Sequence, residues 1–112
     1  MLTSCLFSWE QLVKMKEEQV EFWTTDGTRR LRILDYDSKT KTIYLICVQT
    51  GKISWPLSFQ RLQKVHEKIQ KGQLALLPNE IEKLVPTWGN YITALLNILG
   101  CQDHGSPSLK IR

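Results

Sequence analysis

The segment 42–48, with the sequence Thr-Ile-Tyr-Leu-Ile-Cys-Val, constrains the fold of this chain more than any other stretch. It is rich in β-branched and aromatic residues and is followed by a Thr-Gly-Lys turn, which predicts a strand. Its apolar residues lie on both faces, with Ile43, Leu45 and Cys47 on one and Tyr44, Ile46 and Val48 on the other. Such a strand is typical of a central position covered on both sides, so we expect Leu45 and Ile46 both to be buried.

Length and composition predict one globular domain. The chain has 112 residues, of which 42% are hydrophobic and 23% charged. We expect a single domain over residues 1–100 and a flexible tail over 101–112, where Gly, Ser and Pro are frequent. The three cysteines form no Cys-x-x-Cys pair, which indicates reduced thiols and a cytoplasmic protein. No apolar span of about 18 residues and no basic leader are present, so neither a membrane helix nor secretion is expected.

Local signals predict the element order α-β-β-β-β-α-α-α. Ser8, with Gln11 three residues on, is typical of a capped helix start, and Asp26-Gly27 is typical of a hairpin turn. The predicted strands are 20–25, 29–36, 42–48 and 53–55, and the later helices begin at Ser58, Pro78 and Thr87. This is an α+β fold with an N-terminal helix, a four-stranded antiparallel meander, either open or strongly curled, and three C-terminal helices.

Positive charge is concentrated in the middle of the chain. The net charge is +4, but residues 29–71 hold ten basic and three acidic residues, a net +7. This favours an anionic partner, although lysines and arginines that only solubilise strands and one helix face would give the same pattern.

Aromatic and basic residues on the predicted strands suggest a nucleic-acid-binding surface, because basic groups contact phosphates and aromatic rings stack on bases. The candidates are Trp23, Arg30, Arg32, Tyr36 and Lys52 on the sheet, together with Arg61, Lys64 and Lys68 on the following helix. Alternatively, Trp23 and Tyr36 are core residues under the first helix while the arginines extend outward. The exposure of Trp23 distinguishes the two.

The last helix carries a wide apolar stripe. Trp88, Tyr91, Leu95 and Leu99 follow one side, with Ile92 and Leu96 beside them. This predicts a protein-interaction module that forms a homodimer through these residues. The alternative is a helix buried by its own neighbours.

No catalytic or metal-binding motif is found in the sequence. Asp35 and Asp37 fit a turn better than a metal site, and His66 and His104 lack a third ligand. We therefore expect no enzyme activity, metal or cofactor. A closed apolar pocket lined by Trp55 and Tyr44 would instead indicate a small-ligand binder or an enzyme.

The second half of the chain has a recognisable spacing of residues. It reads Ser58-Phe59-x-x-Leu62-x-x-Val65, Gly72, Pro78-x-x-Ile81 and Trp88-x-x-Tyr91-Ile92-x-Ala94-Leu95-Leu96. This pattern, over residues 53–99, resembles small uncharacterised proteins of mobile DNA, such as integron gene cassette proteins, and accessory domains beside restriction systems. The resemblance implies a bacterial protein and favours a DNA-related role, and it assigns no functional residue.

Overall fold

The structure is a computed structural model that describes residues 7–101. The helices are α1 Trp9–Glu17, α2 Phe59–Gln70, α3 Pro78–Leu84 and α4 Gly89–Ile98. The strands are β1 Glu21–Trp23, β2 Arg30–Asp37, β3 Thr42–Cys47 and β4 Leu57–Ser58. The predicted α+β class and element order are confirmed. The predicted tail lies outside the described residues, apart from its first residue, Cys101, which is buried.

The four strands form one open antiparallel sheet in the order β1-β2-β3-β4. Phe22 pairs with Leu31, which pairs in turn with Cys47, so these three side chains share one face. That face carries the core, because Phe22, Leu31 and Leu45 are at most 3% exposed. All four helices contribute buried residues to the same core, among them Leu12, Leu62, Ile81 and Leu95.

The other face of the sheet has no helix packed on it among residues 7–101. Tyr44, Ile46 and Val48 are only half-buried there, whereas Leu45 is 1% exposed. The prediction that β3 is covered on both sides is therefore wrong. The physical reason is that no helix lies between the strands and all four helices pack into the one core on the covered face, which leaves none for the second face.

A β-bulge changes which face Tyr36 occupies. The pairing of β2 with β3 shifts between Ile33 and Asp35, and Tyr36 then lies opposite the buried Ile43. Tyr36 packs edge-on against Trp9, with ring centres 5.9 Å apart. The prediction that Tyr36 lies beside the arginines of its strand is therefore wrong, because the extra residue reverses the alternation beyond it.

The last strand begins four residues later than predicted, at Leu57 instead of Ile53. Within the predicted strand 53–55 only Ile53 is paired, in an isolated bridge with Ile46. The regular pairing of β4 follows Pro56, with Leu57 opposite Ile43. Proline has no N–H to donate to a ladder, which explains the interruption.

Side chains cap the first two long helices as predicted. The Ser8 hydroxyl accepts a hydrogen bond from the Gln11 N–H at 3.1 Å, and the Ser58 hydroxyl accepts one from the Arg61 N–H at 3.1 Å. Thr87, however, does not cap α4, because its φ is +74° and the N-cap is Trp88.

The N-terminus of α4 is capped from a neighbouring helix. Both carboxylate oxygens of Glu82 accept hydrogen bonds there, from the Thr87 N–H at 2.5 Å and from the Gly89 N–H at 2.9 Å. Gly89 lies so close to α3 that a Cβ atom would clash with the Pro78 carbonyl oxygen. The approach of α4 to α3 thus depends on a residue without a side chain.

Candidate functional site

The most distinctive surface of the molecule is the uncovered side of the sheet. We call it the outer sheet face and define it by cross-strand partners, which point to the same side. Its residues are Glu21, Trp23, Arg30, Arg32, Asp35, Tyr44, Ile46 and Ile53. It combines aromatic, aliphatic and charged side chains on one surface.

Trp23 is exposed at this surface, with 51% of its area accessible. Its cross-strand partner is Arg30, whose Cζ lies 5.6 Å from the centre of the indole ring. The Arg30 Nε also lies 3.3 Å from the Glu21 Oε1, at a distance typical of an ion pair. The guanidinium is therefore held between an aromatic ring and a carboxylate, which orients both groups.

The hairpin turn behind Trp23 is fixed by Asp26. One carboxylate oxygen of this residue accepts hydrogen bonds from the Thr24 hydroxyl at 2.6 Å, the Thr28 N–H at 3.0 Å and the Thr28 hydroxyl at 2.8 Å. These bonds, that from Thr24 first, lower the pKa of Asp26 to about 2. The carboxylate is thus charged at neutral pH, and the turn sets the position of Trp23 relative to Arg30.

Charges on the outer sheet face nearly cancel. Glu21 and Asp35 offset Arg30 and Arg32 on the face itself, and Arg32 forms no ion pair within residues 7–101. The face is therefore an aromatic surface without net charge, flanked at its end by the exposed Arg29.

The basic residues predicted on α2 lie on the opposite side of the molecule. The apolar side of this helix, formed by Leu62, Val65 and Ile69, packs into the core on the covered face of the sheet. Arg61, Lys64 and Lys68 consequently point away from the sheet, and the first two line a separate cavity of about 480 Å³ beside the end of α3. The predicted single surface of sheet and helix does not form.

Lys52 lies at the sheet edge. Its carbonyl accepts a hydrogen bond from the Cys47 N–H at 2.9 Å, and it lines a second cavity, between the sheet edge and the N-terminal end of α4. Among the predicted sheet residues, Trp23, Arg30 and Arg32 thus come together, whereas Lys52 lies beside a different site.

The apolar stripe on α4 is not a free surface. Trp88 is 5% exposed, Leu95 is fully buried, Leu99 is 3% exposed and Tyr91 packs against the core. The alternative stated for this helix, burial by its neighbours, is the observed one. The proposed dimer surface at these four residues is therefore wrong.

Sequence reasoning missed two parts of the exposed surface. Tyr44 and Ile46 were expected in the core, and they face outward instead. Trp55 is 81% exposed, and its position directly before Pro56 was the signal that it leaves the regular sheet.

Other expected features can be located in the described part of the chain. Asp37 accepts hydrogen bonds from the N–H groups of Lys39 and Thr40, as expected of a turn residue. Within residues 7–101, no cluster of three or more His, Cys, Asp or Glu residues could hold a metal ion.

Cys47 is free, but Cys101 is disulfide-bonded, so the expectation of reduced thiols is wrong at that position.

Within residues 7–101, every helix is too short or too polar to cross a bilayer.

Comparisons of this chain with models of known protein families, with curated proteins and with solved structures give no match. The resemblance to integron gene cassette proteins and to restriction-associated domains stays a prediction.

Proposed function

We propose that this protein binds single-stranded nucleic acid through the outer sheet face. In this proposal, Trp23 and Tyr44 stack on bases, while Arg30 and Arg32 contact phosphates. The observation that carries it is the 51% exposure of Trp23 beside Arg30, on a sheet face that no described helix covers. An aromatic ring presented on an open sheet is a stacking platform for unpaired bases.

The geometry favours single strands over duplexes. Stacking on Trp23 needs a base whose flat face is accessible, which a duplex does not offer. Duplex recognition would instead need a helix or ribbon that enters a groove, with many phosphate contacts around it. The nearly balanced charge of the outer sheet face does not provide those contacts, so we expect stacking to contribute most of the affinity.

Fluorescence anisotropy with labelled single-stranded and double-stranded oligonucleotides, at low and at physiological salt, tests this proposal. Trp23→Ala should weaken single-strand binding by about 1–3 kcal/mol, or about 5- to 150-fold, the usual contribution of one stacked base. Ile98→Ala is the control, since Ile98 is an apolar side chain of α4 that is 47% exposed.

A second pair of variants tests the arginines. Arg32→Gln should weaken binding, whereas Arg61→Gln should not, because Arg61 lies on the opposite side of the molecule. No binding at low salt would contradict the proposal, since phosphate-dependent affinity is strongest there. Equal effects of the two arginine substitutions would contradict the assigned surface.

A second candidate function is docking of a protein partner on the same face. Trp, Tyr and Arg are enriched at protein interfaces, and balanced charges suit a protein surface better than a polyanion. A homodimer is one form that this could take. Sedimentation velocity across micromolar concentrations would then show self-association of the wild type that Trp23→Ala abolishes, with no binding of oligonucleotides.

A further inference from the structure

A cavity of about 490 Å³ lies between the segment 50–55 and the N-terminal end of α4. It exists because β4 is only two residues long, so the second half of β3 is bordered by an irregular segment. That segment is fixed to β3 by Ser54, whose N–H donates to the Leu45 carbonyl at 2.8 Å and whose hydroxyl accepts from the Leu45 N–H at 3.0 Å. The cavity is thus bordered by anchored backbone on one side and by a helix on the other.

The floor of this cavity is apolar. Leu31, Leu45 and Cys47 line it from the covered face of the sheet, and Trp88 lines it from α4. Trp88 is held by an edge-on contact with Tyr91, with ring centres 5.8 Å apart. A flat apolar group could therefore rest against an aromatic ring that is already fixed in place.

The charged groups at the rim favour an anion. Arg29 and Lys52 both line the cavity and are exposed, and the Arg29 Nη1 lies 3.4 Å from the Tyr91 hydroxyl oxygen. Glu82 is the one acid among the lining residues, and its carboxylate already accepts the two N–H bonds at the start of α4. Its charge is therefore offset by the helix N-terminus, so the net charge of the lining is that of Arg29 and Lys52. Of these two cations, Arg29 also interacts electrostatically with the Asp26 carboxylate outside the cavity.

We propose that this cavity binds a small organic anion with a flat apolar body, of the aromatic carboxylate or sulfonate class. The ring would lie against Trp88 and the apolar floor, and the acid group would meet Arg29 and Lys52. The volume falls within the range of about 300–1,000 Å³ that is usual for small-molecule sites. The cavity shares Ile46 and Ile53 with the outer sheet face, but its lining includes none of the proposed nucleic-acid contacts Trp23, Arg30, Arg32 and Tyr44. Variants at those contacts therefore distinguish the two proposals.

This site partly matches the pocket expected from the sequence for a ligand binder. Trp55 lines the cavity, as that expectation required, whereas Tyr44 faces the opposite side of the sheet.

The probe for the test is 8-anilinonaphthalene-1-sulfonate, a fluorescent aromatic sulfonate, titrated into the full chain. We expect saturable binding of one molecule per protein. Replacing both rim cations, as Arg29→Gln with Lys52→Gln, should weaken it about tenfold, as expected for losing charge-assisted hydrogen bonds. The matched control replaces two cations at the other cavity, Arg61→Gln with Lys64→Gln, and should leave the affinity unchanged.

Two further measurements determine where the probe binds and whether its charge matters. Trp23→Ala should leave probe binding unchanged, and N-phenyl-1-naphthylamine, which lacks the sulfonate, should bind the wild type more weakly. Bound probe should also slow alkylation of the free Cys47 on the cavity floor, measured by peptide mass spectrometry. Unchanged affinity in the Arg29 and Lys52 double variant, or lost affinity in Trp23→Ala, would overturn the proposal.

Discussion

The guanidinium of Arg30 lies over the ring of Trp23, its cross-strand partner, with Cζ 5.6 Å from the ring centre. The same arginine is ion-paired with Glu21, which lies two residues before Trp23 on the same face of β1. The most exposed aromatic group of the sheet is therefore oriented before any ligand arrives. Such preorganisation reduces the entropy cost of binding.

Removing Glu21 should strengthen nucleic-acid binding. Its carboxylate competes with phosphates for Arg30 and lies opposite Arg32. We expect Glu21→Gln to raise the affinity for a single-stranded oligonucleotide by about two- to fivefold, the size of an interaction between surface charges. Anisotropy titrations measure this, and Glu67→Gln on α2 is the charge-matched control. Unchanged affinity in Glu21→Gln would mean that Arg30 does not contact the phosphates.

Truncation of two adjacent residues on β3 should have unequal effects on stability. Leu45 is 1% exposed, so Leu45→Ala should lower the free energy of unfolding by about 2–5 kcal/mol. Ile46 is half-buried on the outer sheet face, and Ile46→Ala should cost about 1 kcal/mol. Chemical denaturation of both variants checks this, and equal large losses would show that a second layer covers the sheet.

The partial exposure of Ile46 could not be predicted from the sequence alone. An apolar run on β3 is equally consistent with two covering layers and with one layer plus an exposed binding face. The choice depends on where the helices pack, which is a long-range property. Local signals were more informative: Ser8 and Ser58 cap their helices, and the turn at Asp26 closes the first hairpin as predicted.

The candidate site was predictable in part. The cross-strand neighbours Trp23, Arg30 and Arg32 follow from simple alternation of side chains along paired strands. Tyr36 could not be placed in the same way, because one bulge residue moves it to the core face. The cavity beside Arg29 was not predictable, since it depends on how closely a loop and α4 approach β3.

Adding a methyl group at Gly89 should destabilise the fold. The Cβ of Gly89→Ala would clash with the backbone oxygen of Pro78 and lie 2.8 Å from the Glu82 Oε1, so α3 and α4 would have to separate. We expect a loss of about 1–3 kcal/mol, the usual cost of overpacking. Asn97→Ala, at an exposed position of the same helix, is the control. If both variants unfold at the wild-type denaturant concentration, the close approach of the helices is not required.

Stability should decrease in mild acid because of His66. Burial lowers the pKa of this imidazole below its ordinary value of 6.5 and outweighs the opposite effect of the Glu67 carboxylate. The unfolded chain therefore takes up a proton at a higher pH than the folded chain does. The stability that neutral, half-buried His66 contributes is complete above pH 6.5, the pKa of the unfolded chain. It is lost as the pH falls through the lower pKa of the folded chain.

The free energy of unfolding, measured between pH 5 and pH 8, tests this assignment. The ring of His66 stacks on Phe7 at 4.6 Å, so His66→Phe keeps an aromatic ring without a titrating group. That variant should lose the part of the pH dependence between pH 5 and pH 6.5. An unchanged slope would assign the pH dependence to another group.

NMR can map the surface of the protein that contacts a bound oligonucleotide, residue by residue. Amide and indole signals of the ¹⁵N-labelled protein would be followed during titration with a single-stranded oligonucleotide at low salt. We expect the largest shifts to cluster on the outer sheet face, at the Trp23 indole and at the amides of Arg30, Arg32 and Tyr44. Shifts centred on Arg61 and Lys64 of α2, or no shifts at saturating oligonucleotide, would contradict it.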